Sequence, residues 1–435
     1  MISRLLAFAG LLLLIPSSLS QTTNLTNDKE LKFVIYLSRH GIRSPTGKSS
    51  QYNIYSVSPW PDWDVPPGYL TKHGYHVMEL FGVYDRAFLA KEGLLTAAGC
   101  ADASKVTFYA DSDQRTRETG KALAEGLFPG CNLSVQSLPE GTNDPLFHPG
   151  PVNSHAANPN LAVSAIAGRI GNNPGSLTEA HRTKLESLDK LLATCGAAPS
   201  DQKRASLFDI EPTLAPGKGD RLADLHGPLN TASTLTENFL LEYAEGMELS
   251  KVGWGCVDGA TLRSLLDLHT AASDFTQRTP AVAKMQASNL LDQIHRALEQ
   301  TVTGRSIPGT VSKPADKALF LIGHDTNISN IAGLLNMTWI MDGRRDDTPP
   351  GGALIIELSK SRTANDYSVN LYYTAQTLEQ MRSGMPLSEA DPPQRVPIFL
   401  SGCSRQDFSC SWPNFMKLLQ DTIEPHYVSS AQSKH

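Results

Sequence analysis

The chain has 435 residues, 40% hydrophobic and 19% charged, which is enough for a large core and two domains. Its formal net charge of -6 argues against a nucleic-acid partner, because such binding is driven by a basic surface. An anionic small molecule in a locally basic pocket is compatible with that balance.

Residues 1–20 read as a signal peptide. Arg4 gives the positive start, and Leu5 to Ile15 form an apolar core too short to cross a bilayer. Ser18-Leu19-Ser20 places small residues before a cleavage point ahead of Gln21. Elsewhere no run is long and apolar enough to span. The mature protein is therefore expected to be periplasmic or secreted, with no membrane partner. Export makes disulfides plausible among Cys100, Cys131, Cys195, Cys256, Cys403 and Cys410, but spacing alone leaves their pairing open. None lies in a C-x-x-C pair, so no zinc site is expected. Asn24, Asn132 and Asn336 head N-x-S/T sequons, which matter only in a glycosylating host.

Gln21 to Glu30 reads as a polar lead-in. The run from Lys32 to Ser38 is apolar, β-branched and aromatic, and predicts a buried strand. It stops at Arg39-His40-Gly41-Ile42-Arg43-Ser44-Pro45-Thr46, where Gly41 allows a tight turn and Pro45 blocks a continuing strand. A strand end thus presents one imidazole between two guanidiniums. Guanidinium forks match phosphate oxygens, and an imidazole held there can attack phosphorus. Trp60 to Gly68 reads as irregular loop, after which Thr71 is expected to cap a helix over Lys72 to Glu92.

Lys105 to Asp111 predicts a second strand, ending in Asp111-Ser112-Asp113-Gln114-Arg115-Thr116-Arg117. Asp113 is expected to cap a helix running to Leu127, which puts Arg115 in the first turn, where anions collect. From about Pro149 to Thr279 strand-like runs disappear, and helices are expected at 177–194, 231–246 and 258–277. Glu237 and His269 lie on these helices, as ordinary packing residues or as substrate contacts. Lys317 to Gly323 predicts a third buried strand, ending at His324-Asp325-Thr326-Asn327 before another helix. Ala353–Leu358 and Ser368–Tyr373 read as later strands of the same sheet.

Each of these three strands ends in a charged cluster. In an open α/β sheet, ligands bind beyond the carboxyl ends of the strands, so parallel neighbours would bring the clusters together. The converged site holds arginines, histidines and few carboxylates, with no P-loop, no H-E-x-x-H and no two-metal set. The chemistry it supports is phosphoryl transfer through histidine, with no metal or other cofactor expected.

Arg39-His40-Gly41-Ile42-Arg43-Ser44-Pro45, the Asp-x-x-Arg-Thr-Arg stretch and Gly323-His324-Asp325-Thr326-Asn327 resemble the histidine acid phosphatases. Thr236-Glu237, Gly253-Trp254-Gly255, Gln277-Arg278-Thr279-Pro280 and Pro349-Pro350-Gly351-Gly352 are similar to the bacterial periplasmic branch of phytases and glucose-1-phosphatases. The resemblance covers most of the mature chain. It implies a mixed, mostly parallel sheet flanked by helices, with an inserted, mainly helical second domain and substrate bound between the two. The α/β domain is expected over 31–150 and 280–425 and the insert over 151–279.

The same resemblance implies roles. His40 is the nucleophile, Arg39, Arg43, Arg115 and His324 bind phosphate, and Asp325 protonates the leaving oxygen. Thr46, Asp111, Glu237, His269 and Thr326 are further substrate-side candidates. It implies the pairs Cys100–Cys131 and Cys403–Cys410, which leaves Cys195 with Cys256, where the chain departs from the family's pattern. The expected partner is a small phosphomonoester, most of all phytate (myo-inositol hexakisphosphate), met by a monomer at acid pH. Glucose 1-phosphate or other sugar phosphates are the alternative. Thr46 and Thr326 lean towards the phytases, but Gly47 and Gln286 stand where that branch carries cations, with Lys48 and Lys284 close by. Each lost cation should weaken phytate binding. A mutase-like transferase would need a phosphorylated acceptor that an exported chain seldom meets. A non-catalytic binder would typically lack His40 or Asp325, and both are present.

Overall fold

The computed structural model describes residues 28–149, 157–196 and 204–429. The expected signal peptide and Asn24 lie outside them. The first strand, β1 (Lys29–Arg39), starts ahead of the predicted Lys32. Its Phe33, Ile35 and Leu37 enter one hydrophobic core, while Val34 and Tyr36 enter another. Alternate side chains point to opposite faces of a strand, so an unbroken apolar run marks a strand buried on both.

Two parallel neighbours follow the same logic, β2 (Val106–Ala110) and, after the short β3 (Val135–Gln136), the fully buried β6 (Ala318–Gly323). Between them in sequence lies a separate hairpin, β4 (Thr213–Pro216) and β5 (Ala223–His226). Downstream come the small pair β7 (Ile340–Met341) and β8 (Arg344–Arg345), then β9 (Ala353–Ser361), β10 (Tyr367–Ala375), β11 (Gln394–Ile398) and β12 (Cys410–Ser411). The main sheet runs β11-β10-β9-β1-β6-β2-β3, with β12 on β10. It is mixed. β1, β6, β2 and β3 are parallel to one another, and the β9 to β12 side is antiparallel.

Helices Lys72–Lys91 and Gln114–Leu127 cover one face of the sheet through Met78, Phe81 and Leu123. Helices Pro280–Thr303, Asp325–Leu334 and Trp412–Thr422 cover the other through Leu290, Ile328 and Phe415. A third core lies among helices Arg182–Thr194, Pro228–Ala244 and Gly259–Thr276, with Leu188, Phe239 and Leu265 inside it. The cysteines pair as Cys100–Cys131, Cys195–Cys256 and Cys403–Cys410.

Three local expectations are corrected. The helix expected over 177–194 is broken at His181 into Gly175–Ala180 and Arg182–Thr194. The stretch from about Pro149 to Thr279, where no strand is expected, holds the β4–β5 hairpin. Asp113 stands at the N-cap of helix Gln114–Leu127, but its side chain makes no capping bond and pairs with Arg115 instead, Oδ2 to Nη2 at 2.5 Å.

Candidate active site

Strand register brings the charged clusters to one edge of the sheet. Arg39 is opposite Gly323 across β1 and β6, and Ala110 is opposite Ile322 across β2 and β6. Backbone bonds continue one residue further, from His40 N to Gly323 O and from Asp111 N to Ile322 O, each 2.9 Å. His40, Asp111 and His324 therefore leave adjacent parallel strands side by side. Gly41 lets the chain pass close to the covering helix here, since a Cβ on it would lie 2.7 Å from Met78 Cγ and 3.2 Å from the Gly74 carbonyl oxygen.

His40 is 2% exposed, and its Nδ1 lies 2.8 Å from the Gly41 carbonyl. A carbonyl only accepts, so Nδ1 carries the proton and the Nε2 lone pair is left for chemistry. Burial, and then Arg115, Arg39, Arg43 and His324, hold His40 well below the ordinary histidine range, in its neutral form.

Arg39 is fully buried at the end of β1. It donates through Nη1 to the Thr348 carbonyl at 2.6 Å and through Nη2 to Glu237. Burial opposes its charge, but Glu237 and Asp325 outweigh that and push its pKa up. Arg43 meets the same Glu237 oxygen at 3.4 Å. Burial, with Arg39 and Arg115, pushes Arg43 down to about 10 against the pull of Glu237, so it stays charged in acid. The Nε atoms of Arg39, Arg43 and Arg115 are buried without a hydrogen-bond partner. Buried unpaired donors are costly, and a bound oxyanion would satisfy them.

His324 stands between Arg115 Nη2, 3.5 Å from its Nδ1, and Asp111 Oδ2, 2.6 Å from its Nε2. Its ring centre is 5.6 Å from that of His40. Asp325 opens the next helix with its side chain 28% exposed, beside His269 Nε2 at 3.9 Å. Burial resists its charge, yet Arg39, His269 and Arg43 hold it well below the usual carboxylate range. Glu237 contacts His269 through its other oxygen, at 3.6 Å. Arginines, histidines and the partly exposed carboxylates of Asp113 and Asp325 thus gather around a buried, neutral imidazole at the carboxyl ends of the parallel strands.

Residues 30–374 match the histidine phosphatase superfamily (branch 2). The chain belongs to this superfamily. It is 34% identical to phytase AppA of Escherichia coli, over 95% of this chain and 97% of that protein. It is 29% identical to the glucose-1-phosphatase of Salmonella typhimurium, over 91% and 93%. Among solved structures, the Hafnia alvei phytase in complex with tartrate superposes with a TM-score of 0.84 at 34% identity, over 92% of this chain and 99% of that one.

Beyond the centre, this histidine phosphatase has a cavity of about 220 Å³ lined by His148, Asp220, Asn230, Gln286 and Thr326 among others. Thr46 is exposed and, like Arg115, lies beside Gly68 rather than in the lining of this cavity. Gly47 has a local reason to lack a side chain, because a Cβ there would overlap the Tyr52 hydroxyl that accepts its N–H. Lys48 opens the short helix Ser49–Tyr52 instead.

Asp111, Asp113, His148 and His324 offer ligand atoms within 4.8 Å of one another, a spacing a metal could use. Here those atoms are engaged elsewhere. Both imidazoles bond to Asp111, and the Arg115 guanidinium pairs with Asp113. The arrangement is that of an ion-pair network with its own cation. His148 is the member the sequence reading missed. It lies in the irregular stretch Asp144-Pro145-Leu146-Phe147-His148, which no periodicity marks. Asp144 fixes that stretch, accepting from Leu146 N and from the Tyr109 hydroxyl, each at 2.9 Å.

Proposed function

We propose that this phosphatase hydrolyses phosphomonoesters of the phytate class at acid pH, through a phosphohistidine on His40. The observation that carries the reading is His40 itself, neutral, with its Nε2 lone pair free, among three guanidiniums whose Nε–H groups lack partners. Arg39, Arg43, Arg115 and His324 take the phosphoryl oxygens and offset the charge that develops in transfer. His40 Nε2 attacks phosphorus while the ester oxygen leaves with a proton from Asp325. A bound phosphate uses up the arginines' field and adds negative charge beside Asp325, so the carboxyl regains its proton when substrate is present. Water then cleaves the phosphohistidine and releases phosphate. Thr46, Asp111, Glu237, His269 and Thr326 line or brace the substrate's approach. No metal or other cofactor is required.

In this reading the α/β unit spans 31–150 and 280–425, and 151–279 is a mainly helical insert that walls the substrate cavity. The enzyme acts as an exported monomer in the periplasm or outside the cell. No helix among the described residues is long and apolar enough to cross a membrane, and the relatives that match along nearly the whole chain are bacterial phosphatases.

A second reading, a preference for sugar monophosphates, is favoured by the amide and hydroxyl lining at Asn230, Gln286 and Thr326. Such groups suit hydroxyls better than further phosphates. Phosphate release from phytate, glucose 1-phosphate and an aryl phosphate decides between the two. A kcat/KM highest on phytate supports the first, and one highest on glucose 1-phosphate the second. No release from any of them contradicts both.

A further inference from the structure

Asp111 Oδ2 accepts two imidazole donors at once, His324 Nε2 at 2.6 Å and His148 Nε2 at 2.9 Å. The other ring nitrogen of His148, Nδ1, faces Asp220 Oδ2 at 3.4 Å. Asp220 sits in the turn between β4 and β5, so the hairpin reaches the phosphate-binding histidine through one imidazole. We propose that His148 is a positioning residue, a proton-operated latch that ties the β4–β5 hairpin to the His324–Asp111 pair and so shapes the substrate cavity.

The argument is a count of N–H groups. A cationic imidazole donates from both nitrogens, and a neutral one from only one. The protonated ring therefore satisfies both carboxylates. After losing a proton, it keeps its N–H for Asp111, which is 1% exposed and cannot turn to water. Nδ1 then presents a lone pair to the Asp220 carboxylate, and attraction becomes repulsion. The charged groups facing His148 are Asp111, Asp113, Asp144, Asp220 and His324. Arg221 beside Asp220 pairs with Asp224 at 3.1 Å and does not replace the link. Burial lowers the proton affinity of His148, but Asp111, Asp220 and Asp113 outweigh it and hold the ring above the ordinary histidine range. The latch is thus closed in acid and opens towards alkaline pH. Gln286 Nε2 also holds the Asp220 carbonyl, at 2.7 Å, so opening loosens the turn without detaching it.

The consequence for substrate rests on the phosphatase reading, but the latch can be read without substrate. The experiment is backbone hydrogen exchange over 213–226, corrected for intrinsic rates, at about pH 5 and about pH 9. Wild type, His148→Gln and Asp220→Asn are compared. In wild type, protection in the turn should fall about two- to fivefold at the higher pH, the size of a partly exposed ion pair. Both variants should lose this pH dependence, and His148→Gln should show the low protection at either pH. Asp220 is half exposed, so Asp220→Asn is a mild change even if His148→Gln disturbs folding. KM for an inositol phosphate, which reaches the cavity, should rise with pH more than KM for an aryl phosphate in wild type, and this difference should vanish in Asp220→Asn. Equal wild-type protection at both pH values, or a pH dependence retained in Asp220→Asn, overturns the latch. An inactive chain that still shows the pH-dependent protection contradicts the phosphatase reading alone.

Discussion

Arg39 Nη2 donates to Glu237 Oε1, a pair with side chains 1% and 8% exposed that joins the end of β1 to helix Pro228–Ala244. The contact ties an arginine proposed to bind phosphate to the helical part of the chain. Removing one member of a buried pair strands the other charge. Glu237→Ala should therefore cost about 3 kcal/mol of stability. It should also raise KM, because Arg39 and Arg43 lose a shared anchor. Denaturant unfolding and steady-state kinetics measure the two effects, and an unchanged unfolding midpoint would contradict the bracing role.

Asp325→Asn keeps the side chain's shape but cannot donate an acid proton. Alkyl phosphates have a poor leaving group and need that proton, whereas an aryl phosphate's phenoxide leaves more easily. At one acid pH, the variant should lose roughly tenfold or more turnover on phytate beyond its loss on an aryl phosphate. Equal losses on both would make Asp325 a positioning group. Wild-type turnover should fall as pH rises and Asp325 gives up its proton in the complex.

Chelation should change nothing. The only group of metal-spaced side chains found among the described residues is occupied by its own hydrogen bonds and by Arg115. Prolonged dialysis against EDTA should leave the rate on any phosphomonoester intact. Loss of activity that added metal restores would overturn the metal-free mechanism.

Two buried carboxyls should stabilise the fold more in acid than in alkali. Asp85 and Glu242 are 5% and 1% exposed, and burial pushes each up to about 8. For Asp85, Arg395 and the Tyr36 hydroxyl pull the other way, and for Glu242 the Gly253 N–H does. The folded chain prefers both neutral, while the unfolded chain ionises them near pH ~4. Their contribution is complete below that pH and is lost as pH rises through about 8. Asp85→Asn with Glu242→Gln should flatten the alkaline part of the thermal-midpoint profile relative to wild type. Equal alkaline slopes in wild type and variant would contradict the assignment.

Much of this was legible because strands buried on both faces write themselves as apolar runs. Phe33 to Leu37 and Ala318 to Ile322 could hardly be anything else, and the charged residues after them stand out. Their convergence needed only the parallel order of β1, β6 and β2. The β4–β5 hairpin was hidden because Pro212, Pro216, Gly217 and Gly219 read as loop, and its pairing comes from tertiary contact rather than local preference. Asp113 looked like a cap by position, yet the Arg115 charge outcompeted the backbone N–H groups for its carboxylate. His148 was invisible for a different reason, since its partners Asp111 and Asp220 are far from it in sequence and lie on separate elements.

The central claim is that His40 carries the phosphoryl group. The direct measurement is a rapid alkaline quench of enzyme turning over a phosphorus-labelled substrate, followed by peptide mapping, because phosphohistidine survives base and is lost in acid. The account predicts label on the peptide containing His40, chased by unlabelled substrate at the rate of turnover, and none in His40→Ala. Label on any other residue, or a phosphoenzyme that still forms in His40→Ala, would contradict it.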